Sequence, residues 1–412
     1  MTSQFFTEAG TLERLRVGPL SNHLDGFAAL LAEQGFKKAT GREKLRLLGY
    51  FSRWLNRRGL GLEKLDERVI DEFARYRRKE LGRVDRGCLC TLRAVIRYLR
   101  DNGVVDQPAH GPADDVDRLV REYHLYLVQE RGLAAATCDY YVPFAHRFLA
   151  ERFGSSSVQL EQLCPSEIRR FILTHADAMG PGRVKLMVTS LRSFLRFLLL
   201  RGSITVDLSA AVPSVPDWRQ STLPKSLEPE QVECVLRACD RSCATGLRDY
   251  ALLLVLARLG LRAGEIVAMS LEDLDWEAGE LTVRGKGSRR DRLPLPEDVG
   301  AALVTYLTRA RPACSTRMVF VNMRAPHRGF ASSVAVCTVV RKALAQAGLD
   351  PPRKGAHLLR HSLAVRMLRH GASLAEIGDV LRHDLPSSTE IYAKVDLDGL
   401  RALALPWPGG AP

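Results

Sequence analysis

Residues 357–392 read HLLRHSLAVRMLRHGASLAEIGDVLRHDLPSSTEIY. His357, Arg360 and His361 open the stretch, Leu381-Arg382-His383 follows, and Tyr392 stands nine residues after His383. This set of one phenol, several imidazoles and a guanidinium lacks the Ser or Cys of an acyl-transfer site. It also lacks the acidic cluster of a metal site. It suits a reaction in which a tyrosine attacks a phosphate whose charge is held by cations. Guanidinium groups meet that need because they fork onto phosphate oxygens and stay charged at any working pH.

Working upstream, a second arginine stands in Gly260-Leu-Arg262-Ala-Gly-Glu265-Ile, and a lysine in the glycine turn Val283-Arg-Gly-Lys286-Gly-Ser. Arg262, Lys286, His357-x-x-Arg360, His383 and Tyr392, in that order and spacing, resemble the tyrosine recombinase (phage integrase) family over roughly residues 225–400. The resemblance implies a mainly α fold: two SAM-like helical bundle modules, then a mixed α+β catalytic domain with a small antiparallel β-sheet. It implies that Tyr392 forms a 3′-phosphotyrosyl link and frees a 5′-hydroxyl. No metal, ATP or other cofactor is expected. Arg262 and Arg360 are expected on the non-bridging oxygens, and His357 and His383 as hydrogen-bond donors to the phosphate. His357 is also the expected acceptor of the tyrosine proton, and Lys286 the acid toward the leaving 5′-oxygen. His361 is read as structural, buried behind Arg360. Glu265, one helical turn from Arg262, is expected to orient that guanidinium. Two departures stand out: Arg382 occupies a position where the family often has Gly, and Ala263-Gly264 replace a bulkier pair.

The charge balance agrees with a polyanionic partner. The 412 residues hold 60 Lys and Arg against 47 Asp and Glu, a formal net charge of +13, and a protein that neutralises many phosphates needs such an excess. The nine cysteines run from Cys88 to Cys337 without a Cys-x-x-Cys pair, so they are read as thiols in a reducing cytosol. The N-terminus Met1-Thr-Ser-Gln-Phe-Phe has no basic region before an apolar run, and the longest apolar stretch, Ala251–Ala257, is too short for a bilayer. A cytoplasmic protein without membrane contact is expected.

The N-terminal half contains an internal repeat. Gly35 and Thr40 align with Gly132 and Thr137, Leu62-Glu-Lys-Leu65 with Leu160-Glu-Gln-Leu163, Ile70 and Phe73 with Ile168 and Phe171, and Leu92-Arg93 with Leu191-Arg192. Two copies of one helical unit are expected, at residues 1–108 and 114–211. The second resembles the family's core-binding domain. The first is either an added DNA-binding or arm-type module or a protein-contact module. Proline-rich segments 105–113 and 212–226 read as linkers, and in the family the second lets two domains close around duplex DNA. The catalytic domain is expected over residues 227–412. Its helices should begin near Pro229 and cover Leu252–Leu256, Val334–Gln346, Leu358–Arg369 and Leu374–Leu381. Strands are expected at Glu280–Arg284 and Arg292–Leu295, around the Gly285-Lys286-Gly287 turn. An amphipathic helix at Leu397–Leu405 would dock on a neighbouring protomer or on its own domain.

The expected partner is double-stranded DNA, bound by a tetrameric synapse of this chain, alone or with sister recombinases. The implied function is site-specific recombination of the integrase or transposase type. A chromosome-dimer resolving recombinase, a type IB topoisomerase-like enzyme and a catalytically silent DNA-binding accessory protein are the alternatives.

Overall fold

The computed structural model describes residues 2–82, 86–106, 115–154, 157–215, 223–285 and 289–395. The chain divides into two compact units, one formed by residues 1–107 with 220–412, the other by residues 108–219.

In the first unit the described residues of the N-terminal module form α1 (Ala9–Leu15), α2 (Leu24–Glu33), α3 (Lys38–Arg57), α4 (Glu67–Leu81) and α5 (Arg86–Asp101). Leu45, Leu48, Phe51 and Leu55 recur at helical spacing on α3, and they bury against Ile70 and Phe73 of α4 and Leu92, Ile96 and Leu99 of α5. Asp66 caps α4 by accepting the Val69 N–H at 2.9 Å.

The second unit contains α6 (Asp115–Leu125), which runs into a π turn at Tyr126–Glu130, then α7 (Ala135–Phe153), α8 (Pro165–Ala176) and α9 (Pro181–Leu200). Its order reproduces that of α2 to α5. Even the short 3₁₀ turns before the third helix correspond, at Leu62–Lys64 and Leu160–Gln162, where the repeated Leu-Glu-x-Leu motif lies. Its core is aromatic, with Tyr123, Phe148, Phe194 and Phe197 fully enclosed. The chain stays bound to this core beyond α9: Val212 is buried, and Arg192 donates to the Val212 carbonyl at 3.0 Å. The prolines of the 212–226 segment therefore begin while the backbone is still packed.

The C-terminal region of the first unit comprises α10 (Pro229–Arg237), α11 (Ala244–Leu259), α12 (Ala263–Ala268), a three-stranded sheet, α13 (Glu297–Arg309), α14 (Ser333–Gln346), α15 (Ala356–Arg369) and α16 (Leu374–Leu381). A 3₁₀ segment at Glu390–Val395 carries Tyr392. Helix α11 is enclosed along nearly its whole length, as its apolar run requires, and α13 and α15 pack on it. The sheet is antiparallel in the order β1 (Leu274–Asp275), β2 (Glu280–Arg284), β3 (Arg290–Pro294). Leu281 pairs with Leu274 on one side and Leu293 on the other. The second hairpin strand thus starts two residues before the expected Arg292. Lys286, between β2 and β3 in the chain, and the expected helix Leu397–Leu405 lie outside the described residues.

Gly260 closes α11 in the left-handed region, at φ +59°. A Cβ there would stand 2.7 Å from Leu381 and 2.9 Å from Leu363. Only glycine lets the end of α11 meet both α15 and α16, and this meeting point is the floor of the site described next. Within the same unit, the N-terminal module meets the C-terminal region where the His327 N–H donates to the Gln34 carbonyl at 3.1 Å.

Candidate active site

Arg360 lies on the inner face of α15 and is 3% exposed. Its guanidinium donates to two carbonyls, Gly260 O from the end of α11 and Leu381 O from the end of α16. These carbonyls are orphans of helix termini, so one side chain joins three helices. Burial, with Arg262 and Arg382 nearby, draws the Arg360 guanidinium down to about 10.

Arg262 is the N-cap residue of α12, with its side chain about one-third exposed at 34%. Glu265, one turn on, grips it twice: the Arg262 N–H donates to Glu265 Oε2 and the Arg262 guanidinium to Oε1, both at 2.8 Å. The orientation expected of Glu265 is therefore present. The other end of the Arg262 guanidinium donates to the Arg382 carbonyl at 3.0 Å.

Arg382 is the unusual member. It ends α16 at φ +55°, the one positive-φ non-glycine among the described residues. That conformation explains why glycine suits this position. Here a side chain is tolerated because it is used. The Arg382 guanidinium, buried, donates to Glu265 Oε2 at 3.0 Å and to the Val380 carbonyl at 3.0 Å. Glu265 thus carries an arginine on each oxygen, and the loop bearing His383 is tied to the helix bearing Arg262. Replacing Arg382 by Gly should relieve about 1 kcal/mol of backbone strain but free Glu265 and the loop. We expect little loss of melting temperature with strand cleavage slowed by up to about 100-fold, because positioning errors near 1 Å carry such costs. Single-turnover cleavage beside a thermal melt checks this, and an unchanged rate would show that the tie has no role in positioning.

The phenol meets this cation cluster from the far side. Tyr392 is 1% exposed and packs with Leu363, Ala364, Val365, Ile377 and Leu381. Its Oη lies 2.8 Å from His361 Nδ1, with the two rings edge to face. The structure corrects the expectation here: the imidazole on the phenol is His361, not His357, and His361 is not a buried support behind Arg360. The reason is helical period. His357 and His361 are four residues apart, one above the other on α15, with ring centroids 6.1 Å apart. A tyrosine arriving from the C-terminal side reaches the later of the two. The spacing shows only that the two imidazoles share a face, not which of them the phenol meets.

His357 stands at the rim, and desolvation followed by the charges of Arg360 and Arg262 lowers its proton affinity. His383 Nδ1 lies 2.7 Å from Thr389 Oγ1, which orients its ring. Burial, then the neighbouring cations, pulls His361 and His383 down to about 4. Burial pushes the Tyr392 phenol up to about 12, against the pull of Arg360. Both imidazoles are thus neutral near pH 7, whereas the unfolded chain would titrate at about 6.5. Between those values the unfolded chain binds protons that the folded chain refuses, so stability should fall as pH drops from about 6.5 to about 4. Melting temperature is expected to be lower at pH 5 than at pH 7, and the drop should shrink when His361 and His383 are both changed to Gln. An equal drop in that variant would mean the imidazoles are not held neutral.

Among the described residues Glu265 is the one carboxylate in contact with Arg262 and Arg382, and Arg360 is held by the two backbone carbonyls instead. Five of the six residues expected from the sequence lie within the described structure. The sixth, Lys286, does not.

A phage integrase family model matches residues 225–398. The chain is 40% identical over 412 residues to "Putative integrase/recombinase y4rA" of Sinorhizobium fredii, covering 99% of this chain and all of the relative. The chain belongs to the phage integrase family. It is also 31% identical to the tyrosine recombinase XerD of Listeria innocua, covering 67% of this chain and 94% of that protein. Among solved structures, the XerH site-specific recombinase bound to palindromic difH substrate matches at TM-score 0.55 and 18% identity, over 81% of this chain and 93% of that one. A lambda integrase dimer bound to a COC′ core site matches at TM-score 0.50 and 20% identity, over 67% and 94%. These likenesses show the shared tyrosine recombinase fold. As a tyrosine recombinase of this family the chain is a site-specific recombinase, an enzyme of DNA strand breakage and rejoining. No helix among the described residues is long and apolar enough to cross a membrane.

Proposed function

We propose that this chain performs site-specific recombination of the integrase or transposase type, through a covalent bond between Tyr392 and a DNA 3′-phosphate. The observation that carries this reading is a three-guanidinium site with one contacting carboxylate, closed on one side by a phenol hydrogen-bonded to an imidazole. Such a site repels its own charges until an anion enters, and Arg360 already feels that repulsion. A phosphodiester supplies the missing anion. Arg262 and Arg360 would take its non-bridging oxygens, and His357 and His383 would donate to it.

In the cleavage step the Tyr392 oxygen bonds to phosphorus and the bond to the 5′-oxygen breaks. The phenol proton passes to an imidazole, with His361 placed to receive it, and Lys286 supplies a proton to the departing 5′-oxygen. The reverse attack by a 5′-hydroxyl restores the phosphodiester, so the bond energy is conserved in the ester and no ATP is consumed. Phosphate binding also raises the proton affinity of nearby imidazoles, which offsets the mismatch between a phenol at about 12 and an imidazole at about 4.

The reading places a core-binding module at residues 114–211 and the catalytic domain at 227–412, working on duplex DNA in the cytoplasm as a tetramer. Duplex fragments from the DNA flanking the gene, incubated with the full chain, should yield a protein–DNA adduct that survives denaturation and carries a free 5′-hydroxyl. Relaxation of supercoiled DNA by a monomer without strand exchange would favour a topoisomerase instead.

A further inference from the structure

The N-terminal module carries a basic concave surface remote in sequence from the catalytic residues. Two pockets, of about 500 and 650 Å³, lie against helix α3 and share Arg46 and Tyr50. The first is lined by Arg14 and Arg53, the second by Lys44 and Arg77, with Glu43 the single acidic lining residue. Tyr50 is 57% exposed between them, and the Arg53 guanidinium stacks 4.8 Å from its ring.

Among the described residues the cations of this surface make no ion pair. The Arg53 guanidinium donates to the Arg14 carbonyl at 2.6 Å and the Lys44 ammonium to Thr91 Oγ1 at 2.9 Å, neutral partners that position the charged groups without compensating their charge. Among the described residues the module's salt bridges are elsewhere: Arg16 with Asp25, Arg58 with Glu72, and Arg93 with Glu67. Arg46, Tyr50, Arg53 and Arg57 recur every three or four residues and so share one face of α3, a stripe about 16 Å long. The second repeat copy lacks this pattern. At the offset that aligns Thr40 with Thr137, its residues are Pro143, Arg147, Ala150 and Gly154, and Arg147 is neutralised by Glu151 at 2.7 Å. Two modules with one architecture therefore present different faces.

We propose that the groove along α3, with Arg14, Lys44, Arg46, Arg53 and Arg77 around Tyr50, binds the phosphate backbone of duplex DNA as a second contact, separate from the catalytic region. A cation stripe of this length faces several phosphates of a duplex, which presents one charge per ~1.7 Å of axis. A phenol beside an arginine supplies a hydrogen bond to phosphate or sugar without reading sequence. The inference extends the recombinase reading, since a DNA-breaking enzyme gains from holding additional duplex.

The test uses the full chain and a 40-base-pair duplex of arbitrary sequence. Anisotropy titrations between 50 and 300 mM NaCl would compare the unaltered chain with the triple variant Arg46→Gln, Arg53→Gln, Arg77→Gln. The log–log salt slope is expected to become shallower by about 2 to 3, since each lost phosphate contact removes about 0.9. Thermal melts guard against misfolding, and Tyr50→Ser offers a milder second variant, expected to weaken binding with little change of slope. An unchanged slope and affinity in both variants would overturn the proposal. So would a loss confined to poly-dT, which would assign the groove to single strands, or an unchanged duplex slope with lost binding of poly-glutamate, which would assign it to an acidic protein. The Tyr392 adduct is read separately, so failure of the recombinase reading leaves the slope interpretable.

Discussion

Tyr392→Phe is expected to abolish the denaturation-resistant DNA adduct and to lower strand cleavage by at least about 10⁴-fold, the scale on which removal of a nucleophile acts. The substitution deletes one oxygen and leaves the ring, which packs in a closed apolar cluster with Leu363, Ile377 and Leu381. Fold and DNA affinity should therefore persist. Stability should change little, because the phenol's partner, His361 Nδ1, is only half-buried and can turn to water. The decisive measurement is a labelled duplex resolved on a denaturing gel beside an equilibrium binding curve. An adduct formed by the Phe variant at the normal rate would remove Tyr392 from its role.

The course of that prediction shows what the sequence made legible. The order Arg262, His357-x-x-Arg360, His383, Tyr392 was readable through its resemblance to the family pattern, and cations beside a phenol suit attack on a phosphate. Helices α14 to α16 lie close to the expected spans Val334–Gln346, Leu358–Arg369 and Leu374–Leu381, and the structure adds a reciprocal Ser373–Glu376 cap at the start of α16. Three features were not readable. The partner of the phenol depends on which of two stacked imidazoles a returning chain reaches, and that is tertiary geometry. The left-handed Arg382 gives no local sign in Leu-Arg-His, since the strain is held by a carboxylate 117 residues away. The difference between the repeat copies lies in surface charge, whereas the alignment rests on core positions such as Ile70 with Ile168 and Phe73 with Phe171, all buried.

Arg262 and Arg360, the two arginines proposed to hold the phosphate, should fail in different ways, and the contrast tests their assignment. Arg262→Gln is expected to slow cleavage by about 10² to 10³-fold, the usual effect of removing one donor from a developing oxyanion. Its effect on melting should be small: the side chain is about one-third exposed, and Glu265 keeps Arg382 as a partner. Arg360→Ala should do more. It removes a second oxyanion donor and also orphans the buried carbonyls of Gly260 and Leu381. Each unsatisfied carbonyl costs about 1–3 kcal/mol, so the junction of α11, α15 and α16 should loosen and the melting temperature fall by several degrees. Arg360→Lys separates the two contributions. An ammonium keeps the charge but cannot span both carbonyls as the planar fork does, so cleavage should remain impaired with part of the stability restored. Melting curves and single-turnover cleavage on the same three proteins decide the matter. If Arg262→Gln cleaved at the normal rate, or if Arg360→Ala melted like the unaltered chain, the division between a phosphate-facing arginine and one that also binds the helices together would be wrong.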